Sequence, residues 1–201
     1  MTVAVLCIFY GYVNHYKKTS IFTSKPDDVY GLPDVNLQSV TWKSAKNEMG
    51  VPLKSGVAIV LYISTECPIA RKYRPELLRI EKEVHGKAVS WWYVFPPEDK
   101  ATAYTNFRAS QLIGTPVFEP GYGLAKQCSV RVTPTALVFD SAGKLRYRGR
   151  VDDRSTVMGE WKPKATRRDL YLAIKEVVAE KPVSRPQTDA NGCFLPFVVE
   201  N

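Results

Sequence analysis

Val57-Ala-Ile-Val-Leu-Tyr-Ile63 runs directly into Ser64-Thr65-Glu66-Cys67-Pro68, and this passage decides the fold. An uninterrupted aliphatic, β-branched and aromatic run of that length is the pattern of a parallel strand covered on both faces. Beyond Cys67 the apolar positions Ile69, Tyr73, Leu77, Leu78, Ile80 and Val84 recur every three to four residues. That spacing predicts an amphipathic helix ending before Gly86. Cys67 therefore stands at a helix start. There, unpaired backbone N–H groups and the positive end of the helix dipole stabilise a thiolate and lower the thiol pKa.

Outward from this element the same logic continues. Val89–Phe95 reads as a strand stopped by Pro96-Pro97, and 101–113 as a helix, which completes a βαβα unit. A short helix is expected over Leu124–Cys128. Strands over 135–140 and 145–151 flank Ser141-Ala142-Gly143-Lys144 as a hairpin. A closing helix over 164–180 carries Leu170, Ile174, Val177 and Val178 on one face and stops at Pro182. Alternating β and α elements ending in a hairpin and a helix define an α/β class.

The expected organisation is an apolar leader at 1–18, a linker at 19–36 containing Pro26, Gly31 and Pro33, a domain at 37–181, and a tail at 182–201. The leader MTVAVLCIFYGYV, which holds Cys7, is shorter than the roughly 20 apolar residues a bilayer span needs. It looks like an export-signal core followed by His15, Lys17 and Lys18. The expectation is an extracytoplasmic protein, exported or membrane-anchored, with membrane association through this segment.

Composition narrows the chemistry. A chain of 201 residues with 45% apolar content suits one core-forming domain. The excess of 28 Lys and Arg over 20 Asp and Glu is scattered without a basic block, so nucleic-acid binding is not indicated. Four cysteines without paired CxxC spacing make neither a disulfide scaffold nor a zinc site, and the two histidines lack a neighbouring ligand. No metal and no cofactor is expected. Trp91-Trp92-Tyr93 reads as sheet packing; Arg131 and Asp152-Asp153 read as solvated.

Two further features complete a constellation with Cys67. Pro75 interrupts the helical pattern eight residues after it, and Cys128-Ser-Val-Arg-Val-Thr133-Pro134-Thr-Ala-Leu-Val-Phe-Asp140 precedes a glycine-containing turn. Together these resemble the thioredoxin-like superfamily, in particular bacterial redoxin-domain proteins of the alkyl hydroperoxide reductase and thiol-specific antioxidant type with a lone Cys-Pro motif. The resemblance implies a three-layer sandwich, a central mixed β-sheet flanked by helices. It implies a cis bond before Pro134, with the backbone at Thr133 and Pro134 facing Cys67 and pairing with an extended substrate chain. By the same resemblance Ser64, three residues before the cysteine, orients a peroxide, and Pro68 follows the cysteine at the substrate site.

The chain also departs from the pattern. Ala70 stands where a CxxC motif has its second cysteine, and Val60 where a peroxiredoxin has a proline. Glu66 beside Cys67 opposes thiolate formation, and Arg71, one helical turn on, offsets it if it points inward.

The tail closes with Phe194, Leu195, Phe197, Val198 and Val199 and is expected to pack on the domain, bringing Cys193 of the Asn191-Gly192 turn toward Cys67. Structural staple, resolving cysteine and unpaired thiol are all open for Cys193. Cys128, among Leu124, Val130 and Val132, reads as an inert core cysteine. The expected function is a thiol-dependent oxidoreductase in which Cys67 attacks a peroxide or the disulfide of a redox partner protein and Cys193 resolves the product. The alternative is a catalytically inactive interaction module with a structural Cys67–Cys193 disulfide.

Overall fold

The computed structural model describes residues 32–35, 56–97, 100–119, 121–156 and 160–195 in full, and the strand backbones 21–23, 41–44 and 48–50. The expected leader with Cys7 lies outside the described residues.

At the centre lies Val57–Tyr62, with all six side chains buried. Naming strands in chain order, β1 is Ile21–Thr23, β2 Thr41–Ser44, β3 Glu48–Gly50 and β4 Val57–Tyr62. β5 is Val89–Phe95, β6 Thr115–Phe118, β7 Val132–Thr133, β8 Thr135–Phe139, β9 Leu145–Gly149 and β10 Asn191–Phe194. A mixed sheet runs in the order β3-β2-β6-β5-β4-β8-β9. Within it β4, β5 and β6 are parallel neighbours, and β8 lies antiparallel to β4 and β9. A smaller sheet, β1-β10-β7, is wholly antiparallel.

Alternation along β4 sorts the core. Val57, Ile59 and Leu61 face one cluster with Tyr93, Phe95, Val138 and Tyr147. Ala58, Val60 and Tyr62 face the other with Val94, Leu137 and Phe139. The first face is covered by α1 (Pro68–Lys72), α2 (Arg74–Glu83), α3 (Lys100–Ser110) and α5 (Asp169–Val178), through Leu77, Phe107 and Ile174 among others. The second is covered by α4 (Gly123–Gln127) together with Val35 and Leu195. Each fully buried aliphatic side chain contributes about 1.5–3 kcal/mol, so both faces of the sheet hold the fold.

Several elements differ from their sequence expectation. The helix after Cys67 is two helices that meet at Tyr73. Pro75 has no N–H to give the carbonyl of Arg71, and it sits in the first turn of α2, where no intrahelical donor is needed. The closing helix starts at Asp169, not near 164, because the N–H groups of Thr166 and Arg167 donate to Asp153 Oδ1 at 2.8 and 3.0 Å.

Asp152 and Asp153 are buried, not solvated: Asp152 binds the Arg154 guanidinium, and Asp153 accepts from Thr166 and Arg167. Inside the segment read as a linker, Ile21–Thr23 is a strand on β10. Among the described residues no helix is long and apolar enough to cross a membrane.

Candidate active site

The turn from β4 into α1 is held by one side chain from across the sheet. Thr133 Oγ1 accepts the Ser64 N–H at 2.8 Å and donates to the Tyr62 carbonyl at 3.4 Å. The Thr133 carbonyl in turn accepts the Cys67 thiol at 3.1 Å. The peptide bond from Thr133 to Pro134 is cis, and β8 continues beyond it. β7 and the Cys67 turn are thereby fixed to each other by hydrogen bonds at Thr133.

The tail supplies the opposite wall. β10 pairs antiparallel with β7, Cys193 opposite Thr133 and Phe194 opposite Val132, and the Leu195 N–H extends the ladder to Arg131 O at 2.8 Å. Asn191-Gly192, read as a flexible turn, is extended strand instead. Gly192 is required by proximity: a Cβ there would sit 2.0 Å from the Thr133 carbonyl oxygen. Only a residue without a side chain lets β10 approach this far.

That approach places Cys193 opposite Thr133 and in the same buried cluster as Cys67. Both are thiols, and no disulfide joins them in the structure. Cys67 is 2% exposed and Cys193 6%. The hydrogen bond from Cys193 is the largest influence on Cys67 and lowers its pKa to about 7. Burial works the other way, while the N–H groups of Ala70, Cys193 and Ile69 add to the lowering. Burial and the same contact push the Cys193 thiol well up. The two thiols are thus pushed in opposite directions, Cys67 down and Cys193 up. Glu66 and Arg71 are both exposed, so the condition for an offset, an inward Arg71, is not met.

Of the other site residues read from sequence, Ser64 Oγ accepts the Glu66 N–H at 3.2 Å, closing the turn. Pro68 is the exposed first residue of α1, and Pro134 is buried. Cys128 lies on the opposite face of the sheet, where burial raises its thiol to about 12, and it is not brought to Cys67. A groove of about 420 Å³ opens beside the Ser64–Thr65 turn against α3, but Cys67 does not line it. Trp161 packs edge-on to Tyr73 at the helix break, with ring centroids 4.8 Å apart. Gly192, and the Tyr62 carbonyl that orients Thr133, had no separate sequence signal beyond the Gly-Cys pair itself.

No protein-family model and no curated protein matches the chain. Solved structures do. A hypothetical protein from Sinorhizobium meliloti 1021 superposes with a TM-score of 0.70 at 18% identity, over 88% of this chain and 97% of that one. An uncharacterized conserved protein from Geobacillus kaustophilus gives 0.64 at 20% identity, over 89% of each chain. The thioredoxin domain of a thiol-disulfide oxidoreductase from Bacteroides vulgatus gives 0.55 at 15% identity, over 74% of this chain and 99% of that one. At these identities the likeness is one of fold, and it agrees with the sheet order, the cis-proline strand and the helix layers: the chain has the thioredoxin-like fold.

Proposed function

We propose that the chain is a thiol-disulfide oxidoreductase in which Cys67 is the attacking thiol and Cys193 resolves the mixed disulfide. The observation that carries this reading is the placement of both buried cysteines at Thr133, Cys193 opposite it in the β10–β7 register and Cys67 bonded to its carbonyl, with the Cys67 pKa lowered and that of Cys193 raised. The Cys67 thiolate attacks one sulfur of a partner disulfide, and the other partner sulfur leaves as a thiolate and takes up a proton. Cys193 then gives up its proton and attacks the Cys67 sulfur, releasing the partner's second thiol. The partner disulfide ends as two thiols, and the chain ends with a Cys67–Cys193 disulfide.

Thr133 and Pro134 position the incoming chain, while Ser64 and Pro68 shape the turn that holds Cys67. The partner is a redox protein, and an extracytoplasmic setting, where disulfides persist, suits the chemistry. The thioredoxin-like fold shared with a thiol-disulfide oxidoreductase supports the class.

A peroxide would reach the same end through a Cys67 sulfenic acid, with loss of water when Cys193 condenses with it. Thiol-dependent turnover of a protein disulfide and of hydrogen peroxide, in the parent and in Cys67→Ser, tests both. The parent turns over the disulfide and Cys67→Ser does not. Equal rates in the two proteins refute the proposal, and turnover of peroxide alone moves the assignment to a peroxidase.

A further inference from the structure

Cys67 opens α1 and Cys193 lies in β10, so their separation is set by whatever ties those two elements together. Thr133 is one tie, through the Cys67 thiol and the register of β10 on β7. The segment 152–156 is a second. Asn191 and Cys193 are two residues apart on an extended strand, so their side chains share a face. Asn191 is buried, and its Nδ2 donates to the Ser155 carbonyl at 2.7 Å. At the other end of the segment, Tyr73 Oη donates to the Asp152 carbonyl at 3.1 Å. Tyr73 caps the C-terminus of α1, the helix whose N-cap is Cys67.

The residues between these two ties are themselves fixed. Asp152 accepts the Arg154 N–H at 2.9 Å and binds its guanidinium at 2.6 Å. That guanidinium lies over the rings of Tyr73 and Trp161, 5.6 and 5.0 Å from their centroids. Asp153 accepts the N–H groups of Thr166 and Arg167, and Ser155 bridges to Trp161. The segment therefore transmits position from α1 to β10.

Asn191 itself is an odd choice for packing. Its Oδ1 is enclosed and has no hydrogen-bond partner among the described residues. A buried carboxamide with its acceptor unused is a liability for stability. Leucine, of nearly the same shape, would fill the space without it. What the amide adds is one directed bond to the segment beside the thiol pair.

We infer that Asn191 is a positioning residue for the thiol pair, setting Cys193 relative to Cys67 through the segment 152–156 and Tyr73. The inference rests on the attacking and resolving roles proposed for the two cysteines. Its consequence is the effective concentration of one thiol at the other, which a loosened tie lowers without removing either sulfur.

The test equilibrates the full-length protein with glutathione and glutathione disulfide and measures the Cys67–Cys193 disulfide by mass after acid quenching and alkylation. Glutathione disulfide takes two electrons and two protons from the two protein thiols and leaves as two glutathione molecules, so the equilibrium constant reads the effective concentration. Asn191→Leu lowers that constant at least about tenfold, about 30 mV toward easier reduction. In the same variant the titration of Cys67 moves up from about 7. Tyr73→Phe, which loses the Oη bond to Asp152, shifts the constant the same way, and the double variant shifts it by less than the product of the two. Tyr93→Phe, which breaks the 2.8 Å bond to Glu81 away from the site, lowers the unfolding midpoint and leaves the constant within about twofold.

An Asn191→Leu constant within about twofold of the parent's overturns the inference, as does an equal shift in Tyr93→Phe, which would make the effect one of global stability. Shifts that multiply in full in the double variant overturn the shared route. If Asn191→Leu does not fold, Tyr73→Phe decides by the same criterion. Turnover of a partner disulfide is measured alongside. A shifted constant without turnover in the parent sinks the proposed oxidoreductase and leaves the positioning role standing; turnover with an unshifted constant does the reverse.

Discussion

Removing the Cys193 thiol changes the protonation of Cys67 before it changes any resolving step. The hydrogen bond from Cys193 is the largest cause of the lowered Cys67 pKa, and burial, which opposes it, outranks each backbone N–H contribution. In Cys193→Ala the balance reverses, and the Cys67 pKa moves from about 7 to the ordinary thiol value of about 8.5 or above. At pH 7 the thiolate fraction then falls from about a half to about 3%. Cys193→Ser keeps an O–H donor at the same place and retains part of the lowering.

A pKa lowered in the folded state gives stability that is present above the unfolded value and lost as pH falls through the folded one. The parent therefore gains stability over Cys193→Ala as pH rises from about 7 to about 8.5, at roughly 1.4 kcal/mol per unit of difference. Ultraviolet thiolate absorbance, titrated against Cys67→Ser in each background, measures the shift directly. A Cys193→Ala protein whose Cys67 titrates at the parent's pH would refute the assignment of Cys193 as the thiolate's partner.

Two stability predictions follow from the hydrogen bonds around the site. Thr133→Val leaves the Ser64 N–H without its 2.8 Å acceptor and costs about 1–3 kcal/mol in urea unfolding, which Thr133→Ser largely restores; equal midpoints for Val and Ser would contradict the role given to the hydroxyl. Asp169, 2% exposed, accepts from Arg150 Nε and Arg167 Nε at 2.7 Å each. Asp169→Asn strands two partly buried guanidinium groups and lowers stability by about 3–5 kcal/mol in the same assay, and a loss under about 1 kcal/mol would show that solvent already satisfies them.

Much of this was legible in the sequence where one residue pattern had one physical solution. Val57–Ile63 admitted only a buried strand, and Cys67 after a Ser-Thr-Glu turn could only open a helix. What escaped depended on partners distant in sequence. Thr115–Phe118 contains Pro116 and looks like a break, yet it is the strand β6, between β5 and β2. Asn191-Gly192 has the composition of a turn, and its extended form follows from Thr133, which it meets at a range no local pattern reveals. Asp152-Asp153 looked solvated because the Arg154 and Thr166 that accommodate its burial are recognisable only in three dimensions. At the site, three roles were open for Cys193, and the register of β10 on β7 sets it opposite Thr133, whose carbonyl accepts the Cys67 thiol.

β10 is flanked on both sides, by β1 through Ile21–Thr23 and by β7 through Val132–Thr133. A short glycine-containing strand bearing a cysteine would, at a sheet margin, be a template for joining one molecule to the next. Enclosed in the middle of three strands, it offers neighbouring molecules no backbone to pair with and no sulfur to crosslink, so the architecture that shields the thiol pair also guards the protein against self-association.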